Sequence, residues 1–117
     1  MRPVSGIITF LTDFGLSDPY VGVMKGVVKS INPSAEIIDI SHYAPSFDPR
    51  AAAIMLMVSY RYFPPGTIHV VVVDPGVGSS RRALLVVTRN YYFIGPDNGC
   101  LVPAARRKPT AVLGADA

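Results

Sequence analysis

Cysteine occurs once in the 117 residues, at Cys100. No intrachain disulfide framework and no multi-cysteine zinc site can therefore form, and the composition favours an intracellular, cytoplasmic setting. Cys100 itself reads as a small buried apolar residue. Histidine is nearly as scarce: His42 and His69 belong to no metal-ligand cluster in the sequence and read as hydrogen-bonded structural residues, so no metal and no cofactor are expected. Charge is sparse as well, at 16% of residues with a formal net charge of +3. The excess comes from Arg81, Arg82, Arg106, Arg107 and Lys108, not from an unbroken basic run, which argues against nucleic-acid binding. No apolar run approaches the roughly 18 residues of a membrane span, and the stretch Ile7–Leu11 is too short for a signal-peptide core.

What is abundant is apolar surface. Half of the residues are hydrophobic, a proportion that suits a well-buried sheet and is far from the signature of disorder. The length fits a single α/β domain over residues 1–117.

The pattern along the chain alternates. "GIITFLTDFG" opens with a β-branched and aromatic run suited to a strand buried on both faces over Ile7–Leu11. "SDPYVGVMKGVVKSINP" changes to helical spacing: Tyr20, Val23, Met24, Val27, Val28 and Ile31 form the stripe expected of a helix on a sheet. Asp18 or Ser17 supplies its cap, Pro19 its first turn, and Asn32-Pro33 its stop. "AEIIDIS" is a second strand. Asp48-Pro49 starts a second helix, "RAAAIMLMVSYRYF", apolar around much of its circumference and expected to be deeply buried. "IHVVVV" is the most strand-like run, ending at Asp74, and "ALLVVT" and "YYFIG" form an antiparallel pair around "RN". This order predicts a Rossmann-like βαβ sandwich with a largely parallel sheet. After Leu101 the sequence has no clear period and no convincing final element.

In an open α/β sheet, ligands bind beyond the carboxyl ends of the strands. Loops 12–18, 41–48 and 74–82 should therefore share one rim, and they carry Asp13, Asp18, Phe47, Asp48, Asp74 and Arg81. Asp13 follows the first strand, where a carboxylate can accept two hydrogen bonds from a vicinal diol such as a ribose, or simply tie a turn. Asp18 caps the helix, contacts a ligand's ammonium group, or does both. In "VVVDPGVGSSRR" the glycines allow a reversal that returns Arg81 toward Asp74, either as a site pair or as a structural ion pair. "GVGSSRR" also admits a phosphate cradle, although it lacks the Walker lysine and a following helix.

The motifs "ITFLTDFGLSDPYVGVMKGVV", "INPSAEIIDISH", "YFPPGTIHVVVVDPGVGSSRR" and "IGPDNG", in order from Ile7 to Gly99, resemble the S-adenosyl-L-methionine hydroxide adenosyltransferases, hydrolases related to the fluorinase and chlorinase. The resemblance implies attack of water, activated as hydroxide, on the ribose C5′ of S-adenosylmethionine, giving adenosine and L-methionine. The sulfonium leaves as a neutral thioether, so no metal is implied. It places the ribose hydroxyls on Asp13, the methionine ammonium on Asp18, a pocket aromatic at Phe47, and a water-positioning pair at Asp74 and Arg81. The aspartate at position 74, where the fluorinase has tyrosine, puts the chain on the hydrolase side. The resemblance further implies a homotrimer with sites shared between subunits. It also marks two departures: neither His42 nor His69 stands where the family's triad histidine does, downstream of "GPDNG", and the C-terminal β domain is missing. The expectation is thus an N-terminal domain, either part of a hydrolase or a non-catalytic module that binds S-adenosylmethionine or adenosine.

Overall fold

The computed structural model describes residues 3–73, 83–101 and, for the backbone, 109–115. Its elements run β1 (Ile7–Thr12), α1 (Tyr20–Ile31), β2 (Glu36–Ser41), α2 (Pro49–Ser59), a single 3-10 turn (Tyr60–Tyr62), β3 (Ile68–Val72), β4 (Ala83–Thr88), β5 (Tyr92–Pro96) and β6 (Pro109–Ala115). The strands form one six-stranded sheet in the order β2-β1-β3-β5-β4-β6. All neighbours up to β5 pair in parallel, and β4 alone runs against both β5 and β6. The expected α/β fold with a largely parallel sheet is therefore present, including the antiparallel β4–β5 pair.

β1 is hydrogen-bonded on both sides, by β2 and β3, and lies inside the sheet, where Thr9, Phe10, Leu11 and Thr12 are all buried. The path from β1 through α1 to β2 steps one way across the sheet, and the path from β2 through α2 to β3 steps back over β1. Right-handed crossovers in opposite directions put the two helices on opposite faces and open a crevice between the ends of β1 and β3.

The core lies on the α2 face. Leu11, Leu56, Val71, Val73, Phe93 and Cys100 pack there with no solvent exposure, and Cys100 is the small buried residue its composition suggested. Asp48 caps α2 as expected, accepting a hydrogen bond from the Ala51 N–H (3.1 Å) with Pro49 at the first helical position. The expected deep burial of α2 is not observed: Ala52, Ala53 and Leu56 face the sheet, while Ile54, Met57 and Val58 are exposed. A helix on one face of a sheet buries one side only, whatever the composition of the other.

The same correction applies to α1. Val21 is buried and Met24 and Val28 are partly buried, whereas Tyr20, Val23, Val27 and Ile31 of the expected stripe face outward. Apolar residues occupy two sides of this helix, so spacing alone could not say which side met the sheet. Lys29 fixes the helix end by donating to the carbonyls of Pro33 and Ala35.

β6 is a second correction, since no final element was expected there. It pairs antiparallel with β4 from Ala83↔Ala115 to Thr88↔Pro109. Its order comes from a partner strand some 25 residues away, not from a local pattern, and Pro109 occupies the strand's first position, where its missing N–H is tolerated.

The turn before β3 depends on Gly66. Its φ is +94°, and an added Cβ would lie 2.6 Å from the Pro3 carbonyl oxygen and 2.9 Å from the Ser5 nitrogen. The Ser5 N–H donates to the Gly66 carbonyl (3.1 Å), and the Gly66 N–H donates to that of Asn90 (2.6 Å), so this glycine joins the chain's start to the β4–β5 turn. Among the described residues no helix is long and apolar enough to cross a membrane.

Candidate functional site

The crevice predicted by the topology holds a cavity of about 500 Å³ lined by Asp13, Phe14, Asp18, Tyr20, Ser46, Phe47 and Val72. Three of the residues singled out in the sequence, Asp13, Asp18 and Phe47, meet there. Asp74 and Arg81 lie outside the described residues. Asp48, on the same loop as Phe47, serves as the cap of α2.

Asp13 is the first residue beyond β1. Its Oδ2 accepts a hydrogen bond from the Phe47 N–H at 3.1 Å, so one carboxylate oxygen organises the β2–α2 loop. Among the described residues its other oxygen accepts no hydrogen bond. The turn and ligand readings of Asp13 are thus compatible, one for each oxygen.

Asp18 settles in a similar way. Pro19 is the N-cap of α1 and makes no side-chain cap bond, but Asp18 Oδ1 accepts from the Tyr20 N–H at 3.0 Å from one residue upstream. The carboxylate thereby satisfies a free helix N–H and remains exposed on the cavity's rim.

Phe47 is the one described non-glycine residue with positive φ, at 58°. For an L-residue with a bulky side chain this costs about 1–2 kcal/mol. The residue is 66% exposed, so packing does not explain the strain. The bond from its own N–H to Asp13 does, because it holds the backbone in this conformation.

Phe14, Tyr20, Ser46 and Val72 were not picked out from the sequence. The Phe14 and Tyr20 rings sit 6.0 Å apart, tilted by 54°, and give the cavity an aromatic wall. Each flanks or lies close to a predicted carboxylate, and adjacency to Asp13 and Asp18 was the available signal. Apolar walls with two carboxylates on one rim suit a ligand that combines an aromatic or apolar body with hydroxyl groups and positive charge.

Behind the cavity, both histidines have the structural role expected of them. His69 Nδ1 lies 2.7 Å from Thr9 Oγ1, and His42 Nδ1 lies 2.7 Å from Thr12 Oγ1. Burial lowers the pKa of His69 to about 4, with the Tyr60 backbone offsetting part of the effect. Its Nε2 is buried without a well-formed hydrogen bond, so the neutral ring is the form the site accepts.

Residues 8–115 match the family described as the SAM hydroxide adenosyltransferase N-terminal domain. The chain is 44% identical over 110 residues to an (R)-S-adenosyl-L-methionine hydrolase of Salinispora arenicola, covering 94% of this chain and 40% of that protein. It is 27% identical to a fluorinase of an Actinoplanes species, covering 85% of this chain and 42% of the other. A crystal structure of an uncharacterized conserved protein from Thermotoga maritima superposes with a TM-score of 0.86 at 49% identity, covering 92% of this chain and 42% of that one. The chain therefore spans about 40% of the length of the relatives it matches. By the matched stretch, its identity to the hydrolases and its shared fold, it belongs to the SAM hydroxide adenosyltransferase N-terminal domain family, to which the fluorinases are related.

Proposed function

We propose that this chain supplies the ribose- and methionine-binding half of a site that hydrolyses S-adenosyl-L-methionine to adenosine and L-methionine. The observation that carries this reading is the meeting of Asp13, Asp18 and Phe47, from separate loops, on a single cavity. In the substrate, an adenosine diol and two positive charges, sulfonium and ammonium, match the second oxygen of Asp13 and the exposed carboxylate of Asp18. Phe47 and the Phe14–Tyr20 wall offer apolar surface to the ligand body.

In the reaction, the oxygen of water attacks C5′ as the C5′–S bond breaks, and the bonding pair stays on sulfur. Methionine leaves as a neutral thioether, and the water's second proton passes to a base or to solvent. Asp74 orients the water by accepting its hydrogen bond, and the Arg81 guanidinium favours the hydroxide form. Both assignments rest on their places in "DPGVGSSR", within the stretch that matches the family. A homotrimer with sites completed across subunit boundaries belongs to the same reading.

The test is chromatographic. The chain is incubated with S-adenosylmethionine, alone and with Asp74→Asn or Asp13→Ala, and adenosine and methionine are quantified. Equimolar products that fall in both variants support hydrolysis. Binding without turnover, with binding read by calorimetry, leaves the chain as a binding half or a non-catalytic module, which turnover restored by an added C-terminal domain separates, and neither binding nor turnover overturns the reading.

A further inference from the structure

The loops leaving β1 and β2 are joined by four hydrogen bonds, and His42 takes part in two of them. The Gly15 N–H donates to the His42 carbonyl (2.6 Å) and the Ala44 N–H to the Thr12 carbonyl (3.1 Å). The Phe47 N–H donates to Asp13 (3.1 Å), and the His42 ring shares a bond with the Thr12 hydroxyl (2.7 Å). Thr12 and His42 are almost wholly buried, so this last bond is sheltered from competing water.

The network continues outward. His42 Nε2 lies 2.8 Å from Asp39 Oδ1, a close polar contact rather than a linear hydrogen bond, and Asp39 Oδ2 accepts from Lys25 Nζ at 2.7 Å. At the inner end, Thr12 Oγ1 already accepts from the Phe14 N–H (3.2 Å). A carboxylate only accepts, so the Nε2 beside Asp39 carries the N–H, and in the neutral ring Nδ1 then accepts from the Thr12 hydroxyl, whose oxygen still accepts from Phe14. One imidazole thus accepts on one side and faces an anion with its N–H on the other. A hydrophobic residue of equal size would leave both Thr12 and Asp39 without that partner.

We infer that His42 is the positioning residue for Asp13: through Thr12 it fixes the exit of β1, and the Asp39–Lys25 pair fixes the orientation and tautomer of its ring. The inference rests on the reading of Asp13 as the ribose ligand for its consequence in binding. The geometric part stands on the loop contacts alone. His42 lines no part of the cavity, so it acts through Thr12 and does not itself touch substrate.

Two readouts on the full chain separate these parts. The first is ligand-free NMR: the exchange rate of the Phe47 amide, whose acceptor is Asp13, and the tautomer of His42. His42→Ala should speed Phe47 exchange by about tenfold, the loss expected for one well-placed bond, while the Val71 amide in the core is unchanged. His42→Asn, whose side-chain oxygen can replace Nδ1 as acceptor for Thr12, should restore most of the protection. Should His42→Ala fold poorly, Asp39→Asn on the exposed side of the network should give a mixture of ring tautomers and an intermediate exchange rate. Unchanged Phe47 exchange in both variants, or a wild-type ring protonated on Nδ1 alone, overturns the inference.

The second readout is calorimetry with adenosine and 2′,3′-dideoxyadenosine. His42→Ala should reduce the preference for adenosine by about tenfold, with dideoxyadenosine affinity unaltered, whereas a general loss of structure would weaken both ligands alike. An unaltered preference overturns the inference. A wild-type chain that does not distinguish the two nucleosides refutes the ribose role of Asp13, and the exchange result then decides on His42 alone.

Discussion

Acidification from pH 7 to pH 4 should cost the fold about 3 kcal/mol through His69 alone. The ring is fully buried, enclosed by Tyr60, Phe63, Tyr91 and Phe93 at centroid distances of 5.3–6.3 Å. These neighbours accommodate a neutral imidazole but offer no counter-charge to an imidazolium. Burial lowers its folded-state pKa to about 4, against about 6.5 for the exposed residue of an unfolded chain. Between those values the unfolded state holds a proton that the folded state does not, so stability falls as the pH drops from about 6.5 to about 4. Below that both states are protonated and the loss is complete. At about 1.4 kcal/mol per pH unit, the full gap corresponds to about 3.5 kcal/mol, of which about 3 kcal/mol is lost by pH 4, where the folded ring is half protonated.

Urea unfolding at a series of pH values, for the wild type and His69→Phe, isolates this contribution, because the variant keeps the ring's bulk and loses its titration. The comparison is between slopes against pH, not absolute stabilities. Asp39 does not confound it. Burial pushes its carboxyl up, but hydrogen bonds from Lys25 and His42 and the charge of Lys25 outweigh that and hold it below the ordinary carboxylate value. Its contribution is therefore present at higher pH and disappears only as the pH falls through that lowered value. Equal slopes for wild type and variant between pH 4 and 6.5, or an NMR titration of His69 near 6.5, would refute the reasoning.

Gly66→Ala should destabilise the fold by about 2–4 kcal/mol, combining left-handed strain with the clash against Pro3 and Ser5; thermal or urea unfolding reads it directly. Leu56→Ala, at a fully buried position between α2 and the sheet, should cost about 2–5 kcal/mol by the same assay. Phe47→Gly should leave stability within about 1 kcal/mol of wild type, since relief of the positive φ is offset by glycine's greater freedom when unfolded. The same variant should weaken S-adenosylmethionine binding by about tenfold, measured by calorimetry. A Phe47→Gly chain that binds normally would remove the ring from the site.

The parts of the fold legible in the sequence are those specified locally. β1 is buried on both faces from Thr9 onward and β3 is buried on one face and half-buried on the other, so their apolar runs marked them as strands, and Asp48-Pro49 marked the start of α2 because capping acts within four residues. The three candidate ligand contacts were legible because the order of strands and helices brings their loops to one rim. The inward side of α1 was not, because Val21 and Tyr20 are both apolar and only the sheet chooses between them. β6 was not either, since its pairing is dictated by β4. The link from Thr12 to His42 spans 30 residues and leaves no periodic trace, although a threonine before Asp13 and a histidine after "DIS" are its two ends.

The cross-linking of the two loops also bears on the thermodynamics of recognition. Their bonds join groups of the chain itself and use no ligand atom, so the conformational entropy of ordering these two loops is met in folding and is not charged again on binding. The strained backbone at Phe47 belongs to the same pre-set state. Heat-capacity changes on nucleoside binding should therefore carry no added contribution from folding of these two loops beyond the apolar area of the ligand and cavity wall.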